Sequence, residues 1–176
     1  MIYTGIGARS TPGSILHAMV SIGTYMSNHG HILRSGGAQG ADKAFETGCD
    51  FNRGHPPTHG LKEIYLPWKC FEQSKSPLYH VTDQAMEVAA LFHPAWSNLK
   101  PGARKLMGRN AYQMLGLDLK TKTDMIICWT AGAKVSGGTG QSIRMAEFYD
   151  IPVFNLASAS LNHMNEIILD FMETLQ

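Results

Sequence analysis

Apolar residues dominate Ile2-Tyr3-Thr4-Gly5-Ile6, and the segment then breaks at Gly5-Ile6-Gly7-Ala8-Arg9, which predicts a short buried strand and a turn. Pro12 suits the first turn of a following helix, with Thr11 as its N-cap. Ile15, Met19, Ile22 and Met26 recur at helical spacing through it, and Asn28-His29-Gly30 closes it. His31 to Arg34 predicts a second strand. The next helix runs from about Gln39 to Gly48, with Ala41, Ala44 and Phe45 on one face. Asn52 to Gly60 carries Pro56, Pro57 and two glycines and is expected to be a loop. Lys62 to Leu66 predicts a third strand ended by Pro67, Trp68 to His80 an irregular stretch, and Thr82 to Phe92 a helix that His93-Pro94 breaks. A longer helix follows from about Gly102 to Leu115, then a strongly apolar strand at Asp124 to Trp129. A helix through Tyr149, a last strand at Ile151 to Asn155 and a last helix from Leu161 to Leu175 complete the chain.

Strands therefore alternate with helices, and several strands lack the polar alternation of a half-exposed sheet. This predicts an α/β fold: a Rossmann-like, doubly wound three-layer α/β/α domain with a mostly parallel sheet. No repeat or linker interrupts residues 1–176, so a single domain is expected.

Composition narrows the function classes. Apolar residues make up 44% and charged residues only 16%, a compact globular balance. A net charge of +1 lacks the basic excess of a dedicated duplex-DNA binder, which favours a small ligand over a long nucleic acid. Cys49, Cys70 and Cys128 show neither disulfide nor zinc spacing, and no pair among the histidines has a metal-ligand spacing. The start of the chain lacks a signal-peptide pattern, and no apolar run is long enough to span a bilayer. The expectation is a cytoplasmic protein with reduced thiols, no membrane association, no metal and no cofactor.

Two glycine-rich segments carry the candidate chemistry, each placed where a strand gives way to a helix. The first is Arg34-Ser35-Gly36-Gly37-Ala38-Gln39-Gly40-Ala41-Asp42 and the second Ser136-Gly137-Gly138-Thr139-Gly140-Gln141-Ser142. Glycines there let a ligand approach the backbone, and N–H groups at the helix start face an anion. Ser35, Gly36, Gly37, Ala38 and Gly40 are expected to form one cradle, and Gly137, Gly138, Thr139, Gly140 and Gln141 another. A tight strand-to-helix turn is the alternative for either, and Ser136, Thr139 and Ser142 could serve only as N-caps. Asp42 either caps its helix or accepts from a ribose hydroxyl. Gly7, Ala8 and Arg9 follow the first strand, where Arg9 either clamps a phosphate or stays solvated. Arg104 and Arg109 do not share one helical face, so at most one is expected at the ligand. Trp129, at a strand end, either stacks on a base or plugs the core.

Tyr3-Thr4-Gly5-Ile6-Gly7-Ala8-Arg9, the first glycine segment and Gly137-Gly138-Thr139-Gly140 together resemble the SLOG superfamily. That group includes the DNA-processing protein DprA (Smf), the Lonely Guy cytokinin-activating hydrolases and bacterial nucleotide-sensor domains. The chain looks closest to small stand-alone DprA-like proteins of bacteria and phages, in order along nearly its whole length. The resemblance implies a phosphorylated nucleoside or nucleotide-derived signal at the C-terminal ends of the strands. Together with the Met-rich helices it also implies a homo-oligomer.

One departure bears on catalysis. Arg104-Lys105-Leu106-Met107 is similar to the Arg-Lys motif of the Lonely Guy hydrolases, but their second loop continues into glutamates, and here Ile143 and Arg144 stand in those places. Asp42 and Glu147 are the remaining candidates for a catalytic carboxylate. The chain is thus expected to bind a nucleotide-derived small molecule, sensing or sequestering a signalling nucleotide, without catalysis. The alternatives are an N-glycosidase acting on a nucleoside 5′-monophosphate, with release of the base, and a DprA-like single-stranded DNA binder.

Overall fold

The computed structural model describes residues 1–51 and 61–175. The loop expected at Asn52 to Gly60 lies outside the described residues. Five strands, β1 (Ile2–Gly7), β2 (Ile32–Ser35), β3 (Lys62–Ile64), β4 (Met125–Trp129) and β5 (Val153–Asn155), form one sheet of order β3-β2-β1-β4-β5. Every pairing is parallel, with Thr4 opposite Arg34 on one side of β1 and Ile126 on the other. Among the described residues six α-helices accompany them: α1 (Gly13–Asn28), α2 (Ala41–Asp50), α3 (Asp83–Leu91), α4 (Pro101–Leu115), α5 (Gly137–Phe148) and α6 (Leu161–Glu173).

The apolar run of β4 explains the layers. Successive side chains of a strand point to opposite faces. Met125 and Ile127 join Tyr3, Leu33 and Phe45 in a core shared with Met19 and Met26 of α1 and Met164, Ile168 and Met172 of α6. Ile126 and Cys128 join Ala111, Met114 and Leu115 of α4 and Met145 of α5 in a second core. Both faces of the sheet are covered, which is why β4 shows no polar alternation. The fold is the Rossmann-like α/β/α arrangement expected from the chain. Burying one such side chain stabilises by about 1.5–3 kcal/mol. The methionines behind the expectation of an oligomer are mostly committed to this intrachain packing.

At the helix starts one capping expectation is corrected. Thr82 caps α3 by accepting from the Ala85 N–H, and Pro101 opens α4. Thr11 does not cap α1: its hydroxyl donates to the Ala8 carbonyl at 2.7 Å, and Pro12 holds the N-cap position. Thr11 thereby braces the turn after β1. No helix of the described residues is long and apolar enough to cross a membrane.

The order β3-β2-β1-β4-β5 reverses direction between β1 and β4. The connection after β1 leaves toward β2 and the one after β4 leaves toward β5, so their loops part there. In open parallel sheets that crevice is where ligands bind.

Candidate ligand-binding site

A cavity of about 540 Å³ occupies this crevice. That is within the usual range of small-molecule sites. The turn after β1 supplies Gly7, Ala8, Arg9 and Ser10, and the end of β4 supplies Thr130 and Ala131. The two edges are tied together: the Ala8 N–H donates to the Trp129 carbonyl at 3.2 Å. Asn155 on β5 holds Thr130 by donating to its hydroxyl at 2.7 Å. The wall opposite is α4, whose Leu106, Arg109, Asn110 and Gln113 all line the cavity. Their spacing of three, four and seven residues puts them on one helical face.

Around the first glycine segment, chain packing uses most of the space the glycines leave open. A Cβ on Gly36 would collide with the Arg109 guanidinium and fall 2.5 Å from Gln113 Nε2. Gly36 thus makes room for the protein's own arginine. Gly40 has φ +89°, and a Cβ there would lie 2.9 Å from the Ala8 carbonyl oxygen, so it lets α2 abut the turn after β1. A Cβ on Gly37 would meet Leu66 at 2.9 Å. The Ser35 hydroxyl donates to the Gly5 carbonyl at 2.7 Å. Ser35, Gly36, Gly37 and Gly40 fall outside the cavity lining, whereas Ala38 and Asp42 line it.

Asp42 and Arg109 form a buried ion pair, Nη1 to Oδ2, at 3.4 Å. The same carboxylate oxygen accepts from the Ala38 N–H at 3.4 Å. Burial pushes the Asp42 carboxyl above its ordinary value, with Arg109 opposing. Burial likewise pulls Arg109 down, with Asp42 opposing. Phe71 sits 5.9 Å from the guanidinium, so the cation lies between an aromatic ring and the Gly36 backbone. Arg9 is mostly exposed and pairs with Glu72 at 2.9 Å. Glu72 belongs to a short segment with positive φ at Cys70, Glu72 and Gln73, which is strained backbone beside the cavity.

The second glycine segment is the first turn of α5. Ser136 is its N-cap residue but makes no side-chain capping hydrogen bond. The first N–H groups of a helix have no intrahelical partner, so Gly137, Gly138 and Thr139 present donors at the cavity edge. Gly140 stands behind: a Cβ there would lie 2.6 Å from the Val135 backbone. Gln141 also turns away, fully buried, donating to the Ala89 carbonyl at 2.9 Å and accepting from Asn110 at 2.8 Å. It joins α3, α4 and α5 and so fixes Asn110 on the wall.

Other expected residues fall outside the cavity lining. Arg104 lies over the Trp96 ring at 5.7 Å and donates to the Ser97 carbonyl, so of the two arginines Arg109 reaches the site. Trp129 is partly buried and packs against the core that also holds Met125 and Ile127. Glu147 is exposed on α5, and Arg144 donates to the Phe92 carbonyl at 2.7 Å. Asp42 is the one carboxylate among the described residues that lines the cavity.

Asn110, Gln113, Ser142, Met107 and Thr130 line the cavity without having been singled out as binding residues. Helical register held a usable signal: Gln113 stands four residues beyond Arg109, and Ser142 four beyond Gly138. Among the described residues, three buried groups of lining residues have no hydrogen-bond partner: Arg109 Nε, Gln113 Nε2 and Ser142 Oγ.

No family model matches the chain, and no curated protein sequence matches it. Among solved structures it is similar to DNA processing protein A from Helicobacter pylori, described for its single-stranded DNA binding mode. The TM-score is 0.56 with 19% identity, covering 99% of this chain and 80% of that one. At that identity the likeness is one of fold.

Proposed function

We propose that the crevice binds a phosphorylated, nucleotide-derived small molecule and holds it without transforming it, as a sensor or a sequestering protein would. The observation that carries this is the meeting of an uncapped α5 start with the Arg109 cation across one cavity of about 540 Å³. The α5 N–H groups receive the phosphate, since a helix start favours an anion. Leu106, Met107 and Ile6 supply apolar wall for the base. Hydrolysis of the base–ribose bond calls for a carboxylate free to stabilise developing positive charge. Asp42 is already engaged by Arg109 and by the Ala38 N–H, which supports binding over turnover.

A second function, single-stranded DNA binding, is favoured by the fold shared with the DNA processing protein, because a single strand offers phosphate and base together. The test is a paired titration of the full chain, by calorimetry with mononucleotides and by fluorescence anisotropy with an unstructured oligonucleotide. Mononucleotide affinity tighter than that for the oligonucleotide supports the small-ligand function. Tight, salt-steep oligonucleotide binding with no mononucleotide binding supports the DNA function instead. Release of free base during the titration, read by chromatography, refutes the non-catalytic assignment.

A further inference from the structure

Among the described residues two cations line the cavity, Arg9 and Arg109, and each is held by a carboxylate of the chain. The two pairs differ in kind. Asp42 and Arg109 are buried together, whereas 62% of the Arg9 side chain and 26% of the Glu72 side chain are exposed. An exposed pair is weak and gives way to a stronger competitor. A phosphate dianion is such a competitor, because it offers a guanidinium more charge and more acceptor oxygens than one carboxylate. The two arginines also feel each other: burial pulls Arg109 down, Asp42 opposes, and the Arg9 charge adds to the fall. An anion beside Arg9 offsets that repulsion, and Glu72 is that anion.

Glu72 is carried by a strap that joins the two walls of the cavity. Trp68 and Phe71 pack edge to face with ring centroids 5.2 Å apart. Phe71 is buried and lies 5.9 Å from the guanidinium of Arg109 on α4. One residue further on, Glu72 reaches Arg9 on the turn after β1 at 2.9 Å. Around these two holds the backbone takes φ +59° at Cys70, +48° at Glu72 and +64° at Gln73, a left-handed conformation that residues other than glycine rarely adopt. Its own hydrogen bonds are local, from the Gln73 N–H to the Cys70 carbonyl and from the Ser74 N–H to the Phe71 carbonyl, each at 3.0 Å. Strain of this kind persists only while surrounding contacts impose it. Phe71 is fixed in the core, so the ion pair is the contact a ligand can remove.

We propose that Glu72 is a built-in competitor for the site: the phosphate of the ligand displaces its carboxylate from Arg9, and the strap of residues 70–74 relaxes on release. This rests on the nucleotide-binding function above and adds how that site is regulated. A nucleoside carries no phosphate and cannot make the exchange. Binding of a phosphate becomes a change in the chain's own backbone, which is what a sensor requires.

The test measures amide hydrogen exchange in the full chain, as wild type, Glu72→Gln and Arg9→Ala. Each is measured without nucleotide and with AMP, GMP, CMP or UMP, beside calorimetric titration of the same four. Without nucleotide, both variants should exchange the Gln73 and Ser74 amides about two- to fivefold faster than wild type. In wild type a nucleotide that binds should speed these two amides by about the same factor and slow those at the α5 start. In Glu72→Gln it should leave Gln73 and Ser74 at the rate already reached.

A nucleotide that binds wild type yet slows these amides, or leaves them unchanged, overturns the competitor while the nucleotide-binding function stands. So does a Glu72→Gln chain that exchanges there as wild type does. Acceleration that extends in the variants to the β4 amides of Ile126, Ile127 and Cys128 overturns it too, since the pair would then serve the whole fold. Nucleotide binding seen only in Glu72→Gln supports both claims. Binding of none of the four, by wild type or by Glu72→Gln, overturns the nucleotide-binding function and this inference with it.

Discussion

Replacing Asp42 by asparagine should destabilise the chain far more alone than together with Arg109→Met. The two side chains lie 3.4 Å apart, with 4% of Asp42 and 10% of Arg109 exposed. At an effective dielectric of about 20, unit charges at that distance attract by about 5 kcal/mol. Desolvation of both groups offsets much of this, yet breaking such a pair from one side leaves a buried charge uncompensated and costs about 3–5 kcal/mol. Asp42→Asn strands Arg109 against Phe71 and Gly36, and Arg109→Met strands Asp42 beneath Ala38. The double variant strands neither, and methionine replaces most of the arginine stem. A coupling of about 3 kcal/mol is expected from the double-mutant cycle, measured by urea unfolding with unchanged slopes. The pH dependence follows from the same pair. Burial raises the Asp42 carboxyl in the folded chain, so the folded state holds that proton more tightly than the unfolded state. Its contribution to stability therefore grows as pH falls through the folded value and is lost as pH rises through it. Arg109→Met removes the opposing cation and raises the carboxyl further, so the penalty of that variant should shrink from about pH 7.5 to about pH 5. Additive single penalties within about 0.5 kcal/mol, or a penalty that grows in mild acid, would refute the pair as described.

Two other outcomes are expected. Glu72→Gln should release Arg9 from its 2.9 Å ion pair and tighten binding of a phosphorylated ligand. The gain is about two- to fivefold at low salt, fading as salt rises, and an unchanged calorimetric affinity at low salt would show that Arg9 takes no part. Asp118 accepts from the Thr121 N–H and hydroxyl and from the Lys120 N–H, which pulls its carboxyl down to about 2. What this turn contributes is present above the ordinary carboxylate value and is lost as pH falls through about 2. An NMR titration of the Asp118 carboxyl with a midpoint near the ordinary value would refute the turn geometry.

How far the site was legible varies residue by residue. Gly137, Gly138 and Thr139 read as a helix start and line the cavity as one. Arg109 was one of two candidate arginines on α4, of which at most one was expected at the ligand, and its helical register places Gln113 beside it. Arg34, within the first glycine segment, lies outside this cavity's lining: it donates to Glu63 at 2.7 Å and to the Thr121 carbonyl at 2.6 Å, holding β2, β3 and the turn after α4 together. Glycine-rich sequence marks close approach without saying what approaches. At Gly36 it is Arg109, and at Gly40 it is the turn after β1.

Helical spacing through α1, the unbroken apolar run of β4, and the proline and glycine punctuation are local, and local physics reads them. An amphipathic helix or a doubly buried strand carries its environment in its own periodicity. From these the alternation of strands and helices follows, and with it the parallel sheet and the crevice at the strand ends. Which polar side chains enter that crevice is not local. Asn110 and Gln141 bond across α4 and α5, and Asp42 meets Arg109 across 67 positions of sequence. Such pairs depend on helix packing to within an ångström, and no single segment encodes it. Tertiary packing thus turned Gln141 inward and left Arg109, Gln113 and Ser142 with donors unspent, because a buried group is satisfied or orphaned only by neighbours the whole fold brings to it.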